Sequence, residues 1–99
     1  MQRPSDRLKR KVEKENLWLF VLSVLAKRDA NGADIKTAVT KKFGFLTGNV
    51  TVYKVLYLLE RGGYVTSQRN GREVVYTITS SGKGQLREAK KFLLKTSRV

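Results

Sequence analysis

Chemistry in this chain falls to cations, hydroxyls and amides, because its 99 residues include 21 Lys and Arg but neither His nor Cys. Counting alone excludes zinc fingers, His-dependent triads, Cys clusters and disulfide scaffolds, and no residue pattern nominates a metal or a cofactor. The eight Asp and Glu are scattered. Most lie three or four residues from a Lys or Arg, the spacing of helix-surface pairs rather than of a catalytic dyad. Gly82-Lys83-Gly84 lacks both the spacing and the Ser or Thr of a phosphate-binding loop. Catalysis is therefore not expected. A formal charge of +13 and a pI near 10.4 instead make a polyanion the first partner to consider, nucleic acid ahead of a membrane surface.

The most ordered set of candidate contacts lies between Asn49 and Arg61. Stepping about 100° per residue around a helix places Val55, Leu56 and Leu59 on the side of Val52, and Val50, Lys54, Tyr57 and Arg61 on the opposite side, with Thr51 and Tyr53 on its flanks. Lys54 and Arg61 suit phosphate contacts, Thr51 and Tyr57 can hydrogen-bond backbone or base edges, and Val50 can meet a thymine methyl. Asn49 can read adenine or serve as the N-cap of the helix. Arg69 and Arg72 flank Asn70-Gly71, a hairpin signal. There they either concentrate charge for a narrow minor groove or border a solvated turn. Lys41 and Lys42 end a predicted helix, where they also relieve the helix dipole, so Lys42 joins the candidate set with that second role attached.

The elements that must position these residues fit one domain. Residues 1–16 form a basic arm and the start of the first helix, residues 17–80 the nucleic-acid-binding unit and residues 81–99 a C-terminal helix. Ser5 is a candidate N-cap for a single helix running to about Lys27. Its second half, Leu17 to Leu25, is apolar on every side, where covering one small core needs only a stripe. The surplus face is either buried within the protomer or covered by a second copy. Asp29 to Gly32 reads as a turn. Ala33 to Phe43 is a second helix closed by Gly44, and Thr47 to Asn49 offers caps for the third, which ends at Gly62-Gly63. Tyr64–Gln68 and Glu73–Ile78 read as strands around a two-residue Asn70-Gly71 loop, which would set Val65 opposite Tyr76 with Val74 and Ile78 on the same side. Thr79 or Ser80 caps a last helix through about Thr96, with Leu86, Ala89 and Leu93 as its apolar stripe and Phe92 widening it. The longest apolar run is half the roughly 20 residues a bilayer crossing needs, so no membrane span is expected.

Three helices, a hairpin with a charged tip and a final helix make an α+β, mostly α chain in the order of a winged helix-turn-helix. In that arrangement the third helix enters the major groove and the hairpin reaches an adjacent groove or the backbone. Thr51-Val52-Tyr53-Lys54-Val55-Leu56-Tyr57-Leu58-Leu59-Glu60-Arg61-Gly62-Gly63-Tyr64-Val65 resembles the recognition-helix signature of the PadR-like transcriptional regulators. Val75-Tyr76-Thr77-Ile78-Thr79-Ser80-Ser81-Gly82 is similar to the family's second wing strand, and Gly32-Ala33-Asp34-Ile35 falls where the family has Gly-Tyr-Glu-Ile. The likeness covers Leu17 to Leu86 and is to the short form, shared with archaeal and viral winged-helix proteins. Ala33 and Lys54 depart from the family's usual Tyr and Pro. The resemblance implies a homodimer formed through the terminal helices. Leu17, Trp18, Val21, Leu25, Leu86, Phe92 and Leu93 are its candidate interface residues.

The expected protein is thus a homodimeric, sequence-specific binder of double-stranded DNA that regulates transcription, by repression, in the cytoplasm at the nucleoid. An architectural binder without sequence preference and an RNA-binding or ribosome-associated winged helix are the rivals. A small aromatic effector near Trp18 fits some relatives of the fold. Asn49-Val50-Thr51 matches a glycosylation triplet, read as incidental because the chain shows no secretory signal.

Overall fold

The computed structural model describes residues 3–44 and 48–98; the part of the third helix's predicted capping segment that falls on Thr47 lies outside them. Helix α1 (Pro4–Glu15) opens with proline at its first position, where a missing N–H costs nothing. The Arg3 carbonyl accepts from the Asp6 and Arg7 amides at 3.1 and 3.2 Å, so Ser5 lies inside the helix and is not its cap. The single long helix expected to Lys27 is broken at Asn16, whose φ of −121° and ψ of 28° leave the helical region. Helix α2 (Leu17–Leu25) then starts afresh and buries Leu17, Val21, Leu22, Val24 and Leu25. It is the central helix, touching α3 (Gly32–Phe43), α4 (Asn49–Arg61) and α5 (Ser80–Ser97). The polar Ser23 inside it donates to the Leu19 carbonyl at 2.9 Å.

Residues expected to form only a turn include a two-residue strand, β1 (Ala30–Asn31), which makes the wing three-stranded: β2 (Val65–Asn70) and β3 (Glu73–Ile78) pair antiparallel, β3 is central, and Asn31 lies across from Val75. The Asn31 side chain also accepts the Asp34 amide at 2.8 Å as N-cap of α3, and Gly44 closes that helix in the left-handed region at φ 74°.

The hairpin loop is Gly71-Arg72, not Asn70-Gly71. A type I′ turn over Asn70-Gly71 would hold both residues at positive φ, whereas a type II′ turn needs it only at a first-position glycine. Gly71 has φ 68°, and no described non-glycine residue has positive φ. Val65 therefore pairs with Ile78, and Ser67 with Tyr76. Each partner moves by two positions, which leaves Val65, Val74, Tyr76 and Ile78 on one face as the alternation required.

The core sits where α2, α3 and α4 meet under the sheet's base: Val21, Leu22, Ile35, Val39, Val52 and Leu56 are wholly buried. Each such aliphatic side chain contributes about 1.5–3 kcal/mol. Thr79 fastens α5 to this body, with its hydroxyl donating to the Gly63 carbonyl at 2.7 Å while accepting the Gly82 amide at 3.1 Å.

Candidate nucleic-acid interface

Helix α4 carries two faces because its apolar residues repeat at helical spacing. Val52, Leu56 and Leu59 are buried and fix the helix on α2 and α3. Asn49, Val50, Thr51, Tyr53, Lys54, Tyr57 and Arg61 are all exposed, Val50 at 83%. An isolated valine this open has no packing role inside the protomer. Gly48 is the helix N-cap and no side chain among the described residues caps that end, so Asn49 does not perform the capping role considered for it. Its side chain stands at the solvent-facing start of the helix.

The structure brings Tyr53 together with the wing. A cleft of about 440 Å³ lies between the start of α3 and the wing base, lined by Asn31, Gly32, Tyr53, Arg72, Glu73 and Tyr76, among others. Arg69 sits on β2, Arg72 in the loop, and both are exposed. From Thr66 to Glu73 every side chain is exposed, so the outer wing is a ribbon presented to solvent. Burial pushes the Tyr76 phenol above its ordinary range, and the Glu60 carboxylate and Tyr53 add to the rise. The phenol therefore stays a neutral hydrogen-bonding group behind the cationic loop.

Lys42 is not gathered with the α4 stripe. It lines a smaller cleft of about 280 Å³ with Lys27, Arg28 and Lys41 over an apolar floor of Val24 and Ala38. The neighbouring Lys27 side chain, a competing donor, lowers the Lys42 pKa from the usual lysine value; slight desolvation and the charges of Lys27 and Lys90 act the same way. Its ammonium also stands 5.4 Å from the Phe43 ring centre, within cation–π range.

The apolar residues nominated for a partner divide likewise. Leu17, Val21, Leu25 and Leu86 are 0–5% exposed inside the protomer. They have no surface left to offer a partner, which corrects the expected interface: α2 is packed by the helices around it and Leu86 of α5 joins the same core cluster. Trp18 is half-buried on the wall of an apolar groove of about 370 Å³ between α2, α4 and α5. Phe92, Leu93 and Leu94 remain exposed at the far end of α5, as do Leu8 on α1 and Leu58 on α4. Sequence reasoning named neither Leu8, Leu58 nor Leu94 for this role. All three are apolar residues on the outer side of amphipathic helices, and that pattern was readable.

A helical body whose third core-packed helix turns a polar stripe outward beside a cation-tipped hairpin is a winged helix-turn-helix. The family comparison agrees: the family model "Transcriptional regulator PadR-like family" matches residues 21–88, and the chain belongs to that family. Similar solved structures include a transcriptional regulator from Clostridium thermocellum (22% identity, 82% of this chain and 85% of that one, TM-score 0.76). A PadR family transcription regulator from Clostridium difficile is 24% identical over 82% of this chain and 90% of its own, with a TM-score of 0.75. Bacillus subtilis PadR, solved in complex with operator DNA, is 24% identical and has a TM-score of 0.66; the match covers 82% of this chain and 56% of that one. No curated protein sequence matches the chain. No helix among the described residues is long and apolar enough to cross a membrane.

Proposed function

We propose that this regulator binds a specific double-stranded DNA site as a homodimer and represses transcription there by occlusion, acting at the nucleoid in the cytoplasm and without catalysis of its own. The observation that carries the reading is the outward stripe of α4 set beside the exposed, cation-tipped wing. Within it Lys54, Arg61, Arg69 and Arg72 contact phosphates, and Asn49, Val50, Thr51, Tyr53 and Tyr57 reach base edges or sugar. Lys42 has a lesser role at the backbone. That Bacillus subtilis PadR was solved with operator DNA supports the same use of the shared fold. The second copy docks through the terminal helices, residues 81–99 above all. Exposed Phe92, Leu93 and Leu94 of α5 supply the apolar contact, and Trp18 on the wall of the apolar groove between α2, α4 and α5 adds to it. Dimer symmetry then sets two half-sites about one helical turn, or a multiple of it, apart.

Selection from a random duplex pool at roughly 0.2 M salt tests this, because non-specific electrostatic attachment is weakened there and retention depends on readout. Enrichment of an inverted repeat, with light scattering giving twice the 11.3 kDa chain mass, is the expected result. Retention without enrichment would make the chain an architectural binder, and preference for structured RNA would move it to the RNA-binding class.

A further inference from the structure

The outer wing has no packing to hold it in place. Every side chain from Thr66 to Glu73 is exposed, and the cleft of about 440 Å³ separates the wing base from the start of α3 and from Tyr53 of α4. Left to its backbone ladder, a two-stranded ribbon of this kind twists and swings freely. Two carboxylates tie it down. The Asn31 side-chain amide donates to Glu73 Oε1. The Ser67 hydroxyl donates to Glu60 Oε2. The first tie begins where the ladder stops: β1 pairs with β3 only as far as Asn31 and Val75, and Glu73 is the diagonal position two residues beyond. The second joins β2 directly to the exposed side of α4 near its C-terminal end.

The same Asn31 caps α3 through its other side-chain atom, accepting the Asp34 amide at 2.8 Å. One residue thus fixes the start of the first helix of the helix-turn-helix and, through Glu73, the angle of the wing. Glu60 does the equivalent from the recognition helix. Three acids are present in residues 51–99, and two of them make these ties. Acids placed on the phosphate-facing side of a +13 chain weaken its attraction to any polyanion. Their position has to be justified by geometry rather than by charge.

We infer that Glu73, acting through Asn31, and Glu60, acting through Ser67, are positioning residues that hold the wing at a fixed distance from α4 and thereby determine sequence specificity. This deepens the reading of α4 and the wing as a DNA-binding surface and rests on it. Each carboxylate has two separable effects. Its charge lowers affinity for every duplex alike. Its hydrogen bond keeps Arg69, Arg72 and the α4 stripe in register with one another, which matters only for the duplex they fit.

Glu73→Ala and Glu73→Gln separate the two effects, since Gln loses the charge and keeps an acceptor for the Asn31 amide. The first measurement is amide hydrogen exchange of the free protein over residues 30–31 and 70–76. Exchange should quicken about 5- to 30-fold in Glu73→Ala, the effect of one lost hydrogen bond, and stay close to the parent in Glu73→Gln. The second is binding at roughly 0.2 M salt to two probes, the duplex that the parent protein selects from a random pool and a random-sequence duplex of equal length. Both variants should bind the random duplex more tightly. The ratio of the two dissociation constants should fall about 5- to 30-fold in Glu73→Ala only, and Ser67→Ala should lower it without altering charge. Equal ratios in Glu73→Ala and Glu73→Gln, or unchanged exchange in Glu73→Ala, would overturn the inference. A parent protein that holds both duplexes equally would overturn the DNA-binding reading instead, while the exchange data still decide whether the wing is tied.

Discussion

Gly32→Ala places one methyl group between the first helix of the helix-turn-helix and the recognition helix. The Tyr53 ring lies over the Gly32 backbone, and an added Cβ would stand 2.6 Å from its Cζ and 2.7 Å from its Oη. Ordinary carbon contacts are about 3.5–4.0 Å, so the ring must retreat by about 1 Å. Gly32 is not among the glycines at positive φ, so alanine fits its backbone and gains about 0.4–1 kcal/mol by restricting the unfolded chain. Tyr53 is 49% exposed and has solvent to move into. Displacing it costs about 0.5–1.5 kcal/mol in rotamer strain. These nearly cancel, and the thermal midpoint should move by less than about 8 °C, the shift that about 1 kcal/mol brings in a domain of this size. Binding should respond far more, since losing one base contact of about 1–3 kcal/mol raises Kd roughly 5- to 150-fold. Fluorescence anisotropy with the selected duplex measures the change, and thermal denaturation followed by circular dichroism checks the fold. In a Tyr53→Ala background the methyl group meets no ring, so Gly32→Ala should then alter binding by no more than about 0.5 kcal/mol. The reasoning fails if the glycine substitution weakens binding equally with and without the Tyr53 ring, or if it unfolds the protein.

Gly82→Ala should do the opposite, harming the fold rather than the interface. Its Cβ would press on the Tyr64 carbonyl oxygen and stand 2.7 Å from Ile78 Cγ1, and backbone cannot swing aside as an exposed phenol can. Overpacking of about 1–3 kcal/mol or more, less up to about 1 kcal/mol of helix propensity, predicts net loss in urea unfolding; an unchanged midpoint would refute it. Arg72→Ala, removing the loop cation, should weaken binding to all duplexes alike and reduce the slope of log K against log salt by about 0.9, one phosphate's worth. A changed sequence preference would show that Arg72 reads a base. Tyr76 has a raised pKa, so its contribution to stability is complete below the unfolded value of about 10 and is lost as pH rises through the higher folded value. Ultraviolet titration should show a tyrosine step displaced above the ordinary value of about 10, and Tyr76→Phe should remove it.

What the sequence revealed and what it concealed divide by distance along the chain. Apolar spacing at i, i+3, i+4 and i+7 located α4 and its outward stripe, because a helix converts local spacing directly into faces. Gly44 and Thr79 marked helix ends by the same local logic. Strand alternation placed Val65, Val74, Tyr76 and Ile78 on one face even though the loop was set one residue early, since a shift of two positions in pairing preserves parity. Strand β1 left no signal, because two residues carry no alternation and Ala30-Asn31 becomes a strand only where β3 passes it. Asn16 hid the break between α1 and α2, having neither the fixed φ of proline nor the freedom of glycine. The apolar run from Leu17 to Leu25 looks like surplus surface in the sequence, but the helices and β3 packed around α2 use most of it. Outside the α4 stripe, exposed apolar side chains stand instead at Leu8, Leu58 and Phe92–Leu94.

The contacts that shape the candidate interface span greater separations still. Tyr53 covers Gly32 from 21 residues away, and Asn31 meets Glu73 across 42. No periodicity links such pairs. With 21 cations, the chain will attract any polyanion, so its charge establishes encounter and not choice. Choice requires that α4 and the wing approach the duplex at one spacing. The buried Val52, Leu56 and Leu59 fix the helix, and the carboxylate ties fix the wing. Salt separates the two contributions: raising it weakens phosphate attraction at every sequence, while an affinity ratio set by geometry persists.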